Sequence, residues 1–446
     1  MNAMTEQTKD SNKNFKDAWI QFKKNRLAYY SYKTLIVLAV LAVLAPVLAT
    51  DQPLYCKYKG THMFPAFSFS NTTELTDPQT GQKEIIQYDI TDWKLLDAEQ
   101  IIFAPVPYAP SKSDYDNINY SGPGDQQFFT TANGERIEMP AKFRHWLGTN
   151  KAGEDVLSGL INGTRVSLLI GILSMSIASF IGILLGGLAG YFGDKKLRTT
   201  RGAFWTMLIG MIFAFYYGFF MRAYQLSDAF AISNFSAFKQ FTCCIFICCT
   251  ILLLFFLLGK ITGKLPFLNK RVFIPIDSIV SRTIEIIISM PILILIISLS
   301  AIAKEKSIVN VMIIIGLTSW TGIARLTRAE FMRVSALDYI QTAKALGFKE
   351  LRIIFRHALP NAIAPALVAI AFGIASAILT ESALSFLGVG VPADLVTWGS
   401  LLNSGREQFN AWWLVVFPGL AIFVTVTVYN LLGEGLRDAL DPRLRN

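Results

Sequence analysis

The strongest constraint on this chain is a series of eight apolar runs, each near the length that crosses a bilayer, at 30–49, 166–191, 203–221, 241–258, 284–302, 308–323, 362–379 and 412–432. A hydrocarbon core about 30 Å thick takes roughly 20 residues of α-helix, and lipid leaves no partner for the backbone of an open loop or sheet edge. The chain therefore reads as an all-α polytopic membrane protein. Its composition agrees: 16% of residues are charged and mean hydropathy is +0.42, against about 25% charged in an ordinary soluble domain. The net charge of +9 does not point to nucleic acid. Lys and Arg sit in short clusters beside the apolar runs rather than along one face, the pattern of positive-inside topology.

That bias orients the chain. Lys13, Lys16, Lys23, Lys24, Arg26 and Lys33 assign residues 1–33 to the cytoplasm. The first transmembrane helix is expected at 34–50, an external insertion at 51–165, a second helix at 166–193 and a transmembrane hairpin at 194–280. A core at 281–435 follows, with a cytoplasmic loop at 338–360 and a cytoplasmic tail at 436–446. Tyr29, Tyr30 and Tyr32 form an interfacial belt that lengthens the first span. Val47-Leu48-Ala49 resembles a signal-peptidase site, but the polar stretch before the run is too long for an n-region, so the span reads as an uncleaved anchor. Lys195, Lys196, Arg198 and Arg201 precede the hairpin and Lys260, Lys264, Lys270 and Arg271 follow it, which places both its ends on the cytoplasmic side.

No catalytic or metal-binding constellation is legible. His62, His145 and His357 are too scattered for a metal triad or a Ser-His-Asp arrangement. The stretch from Gly259 to Lys264 is one residue short of a phosphate loop and is followed by Leu265 where Ser or Thr would hold Mg²⁺. Cys243-Cys244 and Cys248-Cys249 put Cys244 and Cys248 on one helix face, yet no His or carboxylate accompanies them, so they read as packing residues. Cys56 is the only cysteine expected outside the membrane, which excludes a disulfide within that region. Residues 51–142 mix short apolar runs with Pro, Gly, Asn and Asp and carry about six more acidic than basic residues. They read as a small β-rich or irregular external domain whose charge keeps it soluble or steers a basic ligand. Among membrane carboxylates, Glu285 is one turn from Arg282 and reads as a helix-end ion pair, whereas Glu381 is a candidate for gating, packing or substrate contact.

The most informative stretch runs from Asp338 to Gly347, followed by Arg356-His357-Ala358-Leu359-Pro360-Asn361. It predicts a short charged helix, with Ile340, Ala343 and Leu346 as its apolar face, ended by Gly347, and a new helix opened by Pro360. Its spacing resembles the coupling loop of ABC importer permeases, with Gln341-Thr342-Ala343 at the Glu-Ala-Ala position, Gly347 as the Gly, and His357 to Pro360 as the end. Two triplet positions and His357 depart from the pattern. The segment from Trp146 to Leu157 with Gly163-Thr164-Arg165-Val166-Ser167, the stretch from Ala383 to Gly390, and the tail from Gly435 to Leu444 resemble the oligopeptide, dipeptide and nickel-type subfamily.

This resemblance implies a six-helix type I ABC importer permease core, here with two extra transmembrane helices and an external loop domain. The additions come as a pair, which leaves the coupling loop cytoplasmic. The resemblance further implies a bacterial cytoplasmic (inner) membrane, cytoplasmic N- and C-termini, and a set of partners. These are a second related permease, two ATPase subunits, an external solute-binding protein and membrane lipid, with ATP and Mg held only by the ATPases and no cofactor bound directly. Asp338, Tyr339, Gln341, Thr342, Ala343, Ala345, Leu346, Gly347, Leu359 and Pro360 are expected to couple to an ATPase. Glu381, Ser385, Gly388 and Trp398 are expected at the gate or substrate path, with broken or re-entrant structure at 388–413. Peptides are the expected substrate; nickel, another small solute or an antimicrobial peptide would use the same scaffold. A secondary transporter or channel, or a membrane-embedded enzyme, is the reading from a different class. The coupling loop argues against the transporter or channel, and the missing catalytic groups argue against the enzyme.

Overall fold

The computed structural model describes residues 19–68, 70–76, 83–131, 133–225, 229, 234–302, 307–392 and 395–440. Lys13, Lys16, part of the connection between the hairpin helices, and the tail residues Asp441, Pro442, Arg443 and Leu444 lie outside them.

Each long apolar run forms helix. The elements are α1 (Arg26–Leu48), α2 (Val156–Phe192), α3 (Arg201–Phe215), α4 (Asn234–Thr262), α5 (Ile276–Ser289), α6 (Ile292–Ile302), α7 (Ile308–Ser335), α8 (Asp338–Ala345), α9 (Glu350–Ile353), α10 (Leu359–Ala362), α11 (Ala364–Phe386), α12 (Trp398–Arg406) and α13 (Trp413–Leu440). Among the described residues seven helices are long and apolar enough to cross a membrane, and α5 with α6, bent by 90° at the break between them, is a broken span or a re-entrant loop. The bend corrects the expectation of one span over 284–302. Pro291 stands one residue before α6, so the chain breaks at Met290 and Pro291, where a missing N–H costs a continuous helix its ladder. The second helix also differs: α2 starts at Val156 and has 37 residues. At 1.5 Å per residue it is about 55 Å long, far more than a bilayer core requires.

Two compact units result, residues 1–184 with 286–446, and residues 185–285. In the first, α1 runs antiparallel to α13. Asn25 caps α1 by accepting from the Ala28 N–H at 3.2 Å, and its amide donates to Asp438 near the end of α13 at 3.3 Å. Gly435 leaves no room for a Cβ against Ala28. Phe22, Ala28, Leu168, Ile378, Trp398, Tyr429 and Leu432 belong to one core cluster there.

The segment between α1 and α2 is built of short strands. β1 (Tyr55–Tyr58) pairs antiparallel with β2 (Thr61–Met63) and later with β5 (Gln100–Ile102). Two further hairpins are β3 (Thr72–Thr76) with β4 (Lys83–Gln87) and β6 (Phe128–Thr130) with β7 (Arg136–Glu138). Cys56, Met63, Ile86, Tyr88 and Trp93 make its small core, and Cys56 is a free thiol.

In the second unit α3 lies against α4 through glycines eight residues apart. A Cβ on Gly202 would meet the Thr262 backbone, one on Gly210 the Phe255 ring at 2.7 Å, and one on Gly218 the Cys248 sulfur. Cys248 donates its thiol to the Ala214 carbonyl at 3.0 Å, so that cysteine is a packing residue. The hairpin ends on a two-stranded ribbon, β8 (Arg198–Thr200) with β9 (Arg271–Phe273).

Candidate coupling loop and membrane groove

The loop between α7 and α11 is a chain of short helices: α8, α9, a π-helical turn at Ile354–Ala358, and α10. Asp338 opens α8, a favourable end for a carboxylate against the helix dipole, and Lys344 lies in its last turn. The Gln341 amide donates to the Ser335 carbonyl at 2.8 Å and ties α8 to the end of α7. Gly347 has φ +76° and ends α8 in a Schellman motif: Phe348 N–H donates to Ala343 at 3.2 Å and Gly347 N–H to Lys344 at 2.9 Å. Nothing lies within 4 Å of a Cβ at Gly347, so backbone geometry alone favours glycine there.

Ile340, Ala343, Ile353 and Ala358 are buried and anchor the loop. Leu346 does not join them; it is 68% exposed, as is Leu351, with Phe355 at 62%. Six residues of α-helix turn through about 600°, which leaves Leu346 about 120° from Ile340, and α8 has ended by then. Asp338, Tyr339, Gln341, Thr342, Ala345, Gly347 and Pro360 are exposed and Leu359 half-buried. The loop therefore shows apolar side chains on its surface, a feature of binding surfaces.

The proposed gate residues fall into one buried cluster with one outlier. Glu381 and Ser385 are a turn apart on α11, and the Ser385 hydroxyl donates to Glu381 Oε1 at 2.6 Å. Glu381 Oε2 has no partner among the described residues. Beside them α12 starts under a capping box from Thr397 and Ser400, and a Cβ on Gly399 would lie 2.5 Å from the Ser382 carbonyl oxygen. Trp398 is buried with its indole N–H donating to the Leu160 carbonyl at 3.1 Å, and Gly163 gives it room. Glu381 has no exposed surface, so in this conformation no substrate reaches it. Gly388, φ +75°, ends α11 in a second Schellman motif, its N–H donating to the Ser385 carbonyl at 2.9 Å, with nothing within 4 Å of a Cβ there.

The sequence reading missed two features. One is a groove of about 1170 Å³ whose lining includes Thr318, Thr321 and Gly322 of α7 and Ser376 and Thr380 of α11. Polar residues a turn apart on membrane helices were the available signal. Glu330, Arg333, Pro360, Asn361 and Arg437 also line this groove. The end of α13 thus lies at the level of the coupling loop, and through Asn25 and Asp438 so does the start of α1.

The other is a buried charge cluster just before α2. His145 donates from Nδ1 to Asp155 at 2.8 Å and from Nε2 to Asp114 at 3.0 Å, and Tyr108 packs on its ring with centroids 4.0 Å apart. Burial alone would lower the His145 pKa, but the two carboxylate hydrogen bonds raise it above the ordinary value. Asp114 is pushed up by burial and pulled down further by His145 and Asn117, so it titrates below the usual range. Lys94, its ammonium over the Tyr108 ring, is lowered to about 8 by burial. Asp155 also accepts from the Ser158 N–H at 2.6 Å and so caps α2, and Trp413 donates to the Thr149 carbonyl at 3.0 Å, joining this segment to α13.

Two family models match the chain. That of binding-protein-dependent transport system inner membrane components covers residues 256–446, and that of the N-terminal transmembrane domain of oligopeptide transport permease C covers 13–61. The di/tripeptide transport system permease protein DppC of Pseudomonas aeruginosa is 31% identical over 68% of this chain and 74% of its own length. The inner membrane ABC transporter permease protein YejE of Escherichia coli is 26% identical over 95% of this chain and 96% of its own. The peptidoglycan transport system permease protein YejE of Agrobacterium fabrum is 26% identical over 96% and 93%. The chain thus belongs to the binding-protein-dependent transport system inner membrane components, as a multi-pass, all-α permease subunit that works with ABC ATPases and a solute-binding protein and leaves ATP hydrolysis to its partners.

Proposed function

We propose that this chain is a peptide permease of an ATP-driven importer, assembled with a second related permease, two ATPase subunits and an external solute-binding protein in a bacterial inner membrane. The observation that carries the reading is the loop from α8 to α10, anchored by Ile340 and Ile353 and showing Leu346, Leu351 and Phe355 outward. Asp338 to Pro360 dock into an ATPase groove, and closure of the ATPases moves α7 and α11 between outward and inward arrangements. The loop and both ends of the chain lie in the cytoplasm, and 51–165 lies outside. The polar groove on α7 and α11 lines the path, covered by the second permease, with Glu381, Ser385 and Trp398 holding α12 as the external gate. Peptide as cargo rests on the oligopeptide and di/tripeptide descriptions of the relatives.

The test is uptake into proteoliposomes holding the assembled complex, with labelled di-, tri- and oligopeptides and the binding protein outside. ATP-dependent, binding-protein-dependent accumulation is expected; accumulation without ATP refutes the reading. A second cargo, peptidoglycan-derived fragments, is favoured by the relative that spans 96% of this chain and is described by peptidoglycan transport. Adding such fragments to the uptake assay separates the two.

A further inference from the structure

We propose that the inserted hairpin carries a binding site for one anionic phospholipid. Between α3 and α4, where the β8–β9 ribbon closes their ends, lies a groove of about 770 Å³, within the roughly 300–1,000 Å³ of small-molecule pockets. Its wall is apolar along the helices, with Phe204, Met207, Leu208, Met211 and Phe256, the side chains that accommodate an acyl chain.

Its mouth is cationic. Lys260, in the last turn of α4, and Lys264, in the turn just beyond its end, line it, the Lys260 ammonium 4.7 Å from the centroid of the groove residue Phe256. The ribbon register sets Arg271 opposite Thr200, another lining residue, with Lys270 adjacent. No acidic residue is among the groove's lining residues. An apolar slot that ends in ammonium groups at the edge of a membrane span fits a molecule with an acyl chain and a phosphate head, and basic pockets of this kind between membrane helices take anionic headgroups. The lysines also form the end of the segment that mimics a phosphate loop, so the same sequence binds phosphate as a lipid headgroup rather than as nucleotide.

Native mass spectrometry of the assembled complex, taken from nanodiscs of phosphatidylglycerol and phosphatidylethanolamine, tests the site. The wild type is expected to keep one phosphatidylglycerol through activation that strips phosphatidylethanolamine. At about 1 kcal/mol per basic residue, K260Q/K264Q lowers its affinity about thirtyfold, while K260R/K264R keeps it. M207W/M211W, which fills the apolar slot without touching the charges, loses the lipid as well. Equal retention by wild type and K260Q/K264Q overturns the proposal, as does equal retention of phosphatidylethanolamine. Displacement by millimolar inorganic phosphate also overturns it, because the ligand would then be a free anion.

Discussion

Replacing Leu346 and Leu351 by alanine isolates the docking surface from the fold that presents it. Both side chains are 68% exposed, so the fold loses little, and exposed substitutions usually change stability by less than about 0.5 kcal/mol. Burial of a whole leucine side chain is worth about 2 kcal/mol. If docking covers the exposed two-thirds of each, the pair contributes between about 2 and 3 kcal/mol, or roughly 30- to 140-fold in affinity. The assay is titration of a labelled ATPase subunit against the permease pair in nanodiscs, with uptake measured alongside. The control is L253A/L254A on α4, which removes the same apolar groups from two exposed leucines in the inserted hairpin. An ATPase affinity within twofold of wild type for L346A/L351A, or an equal loss in the control, refutes the loop as the coupling element.

Gly347→Asn should keep coupling while Gly347→Val loses it, since φ +76° with open space around the Cβ tolerates asparagine but strains a β-branched residue; uptake per bound ATPase measures this. External thiol labelling of Lys349→Cys in intact cells should fail, and success there would invert the topology. His145→Ala should destabilise the segment before α2 by about 3 kcal/mol, because it leaves buried Asp155 and half-buried Asp114 without their shared cation. The same cluster sets a pH window. His145, with a raised pKa, stabilises fully below its unfolded value of about 6.5 and loses this as pH rises through the folded value. Asp114, with a lowered one, stabilises above about 3.8 and loses this as pH falls through its folded value. Lys94 stays charged throughout below about 8 and adds no slope there. Hydrogen-exchange protection factors at residues 108–158 should therefore be highest between about pH 4 and 6.5, and a monotonic rise in protection up to pH 8 would contradict the assignment.

What the sequence revealed and what it hid divide along physical lines. Membrane helices are legible because lipid demands a long apolar run for each span, and all eight runs are helical in the structure. The bend before α6 was hidden by the same scale, since Pro291 does not interrupt an apolar average although it interrupts a helix. The early start of α2 was hidden by Asn162, Thr164 and Arg165, polar residues that end a hydropathy window but not a helix. A cap signal was present at Asp155 and Ser158 and would have found it. Gly347 could be placed from spacing because a helix end is local, and the two Schellman hydrogen bonds span six residues. The His145 cluster could not, since Asp114 is 31 residues away and reaches it only when the short strands fold. The polar groove is hidden for the same reason: Thr318 and Ser376 lie on separate helices, and each alone looks like a tolerated hydroxyl bonding its own helix backbone, as Thr318 does to Ile314 at 2.9 Å. Features set by one element's relation to solvent or lipid are therefore written locally. Those set by packing between elements arise only where segments distant in sequence meet.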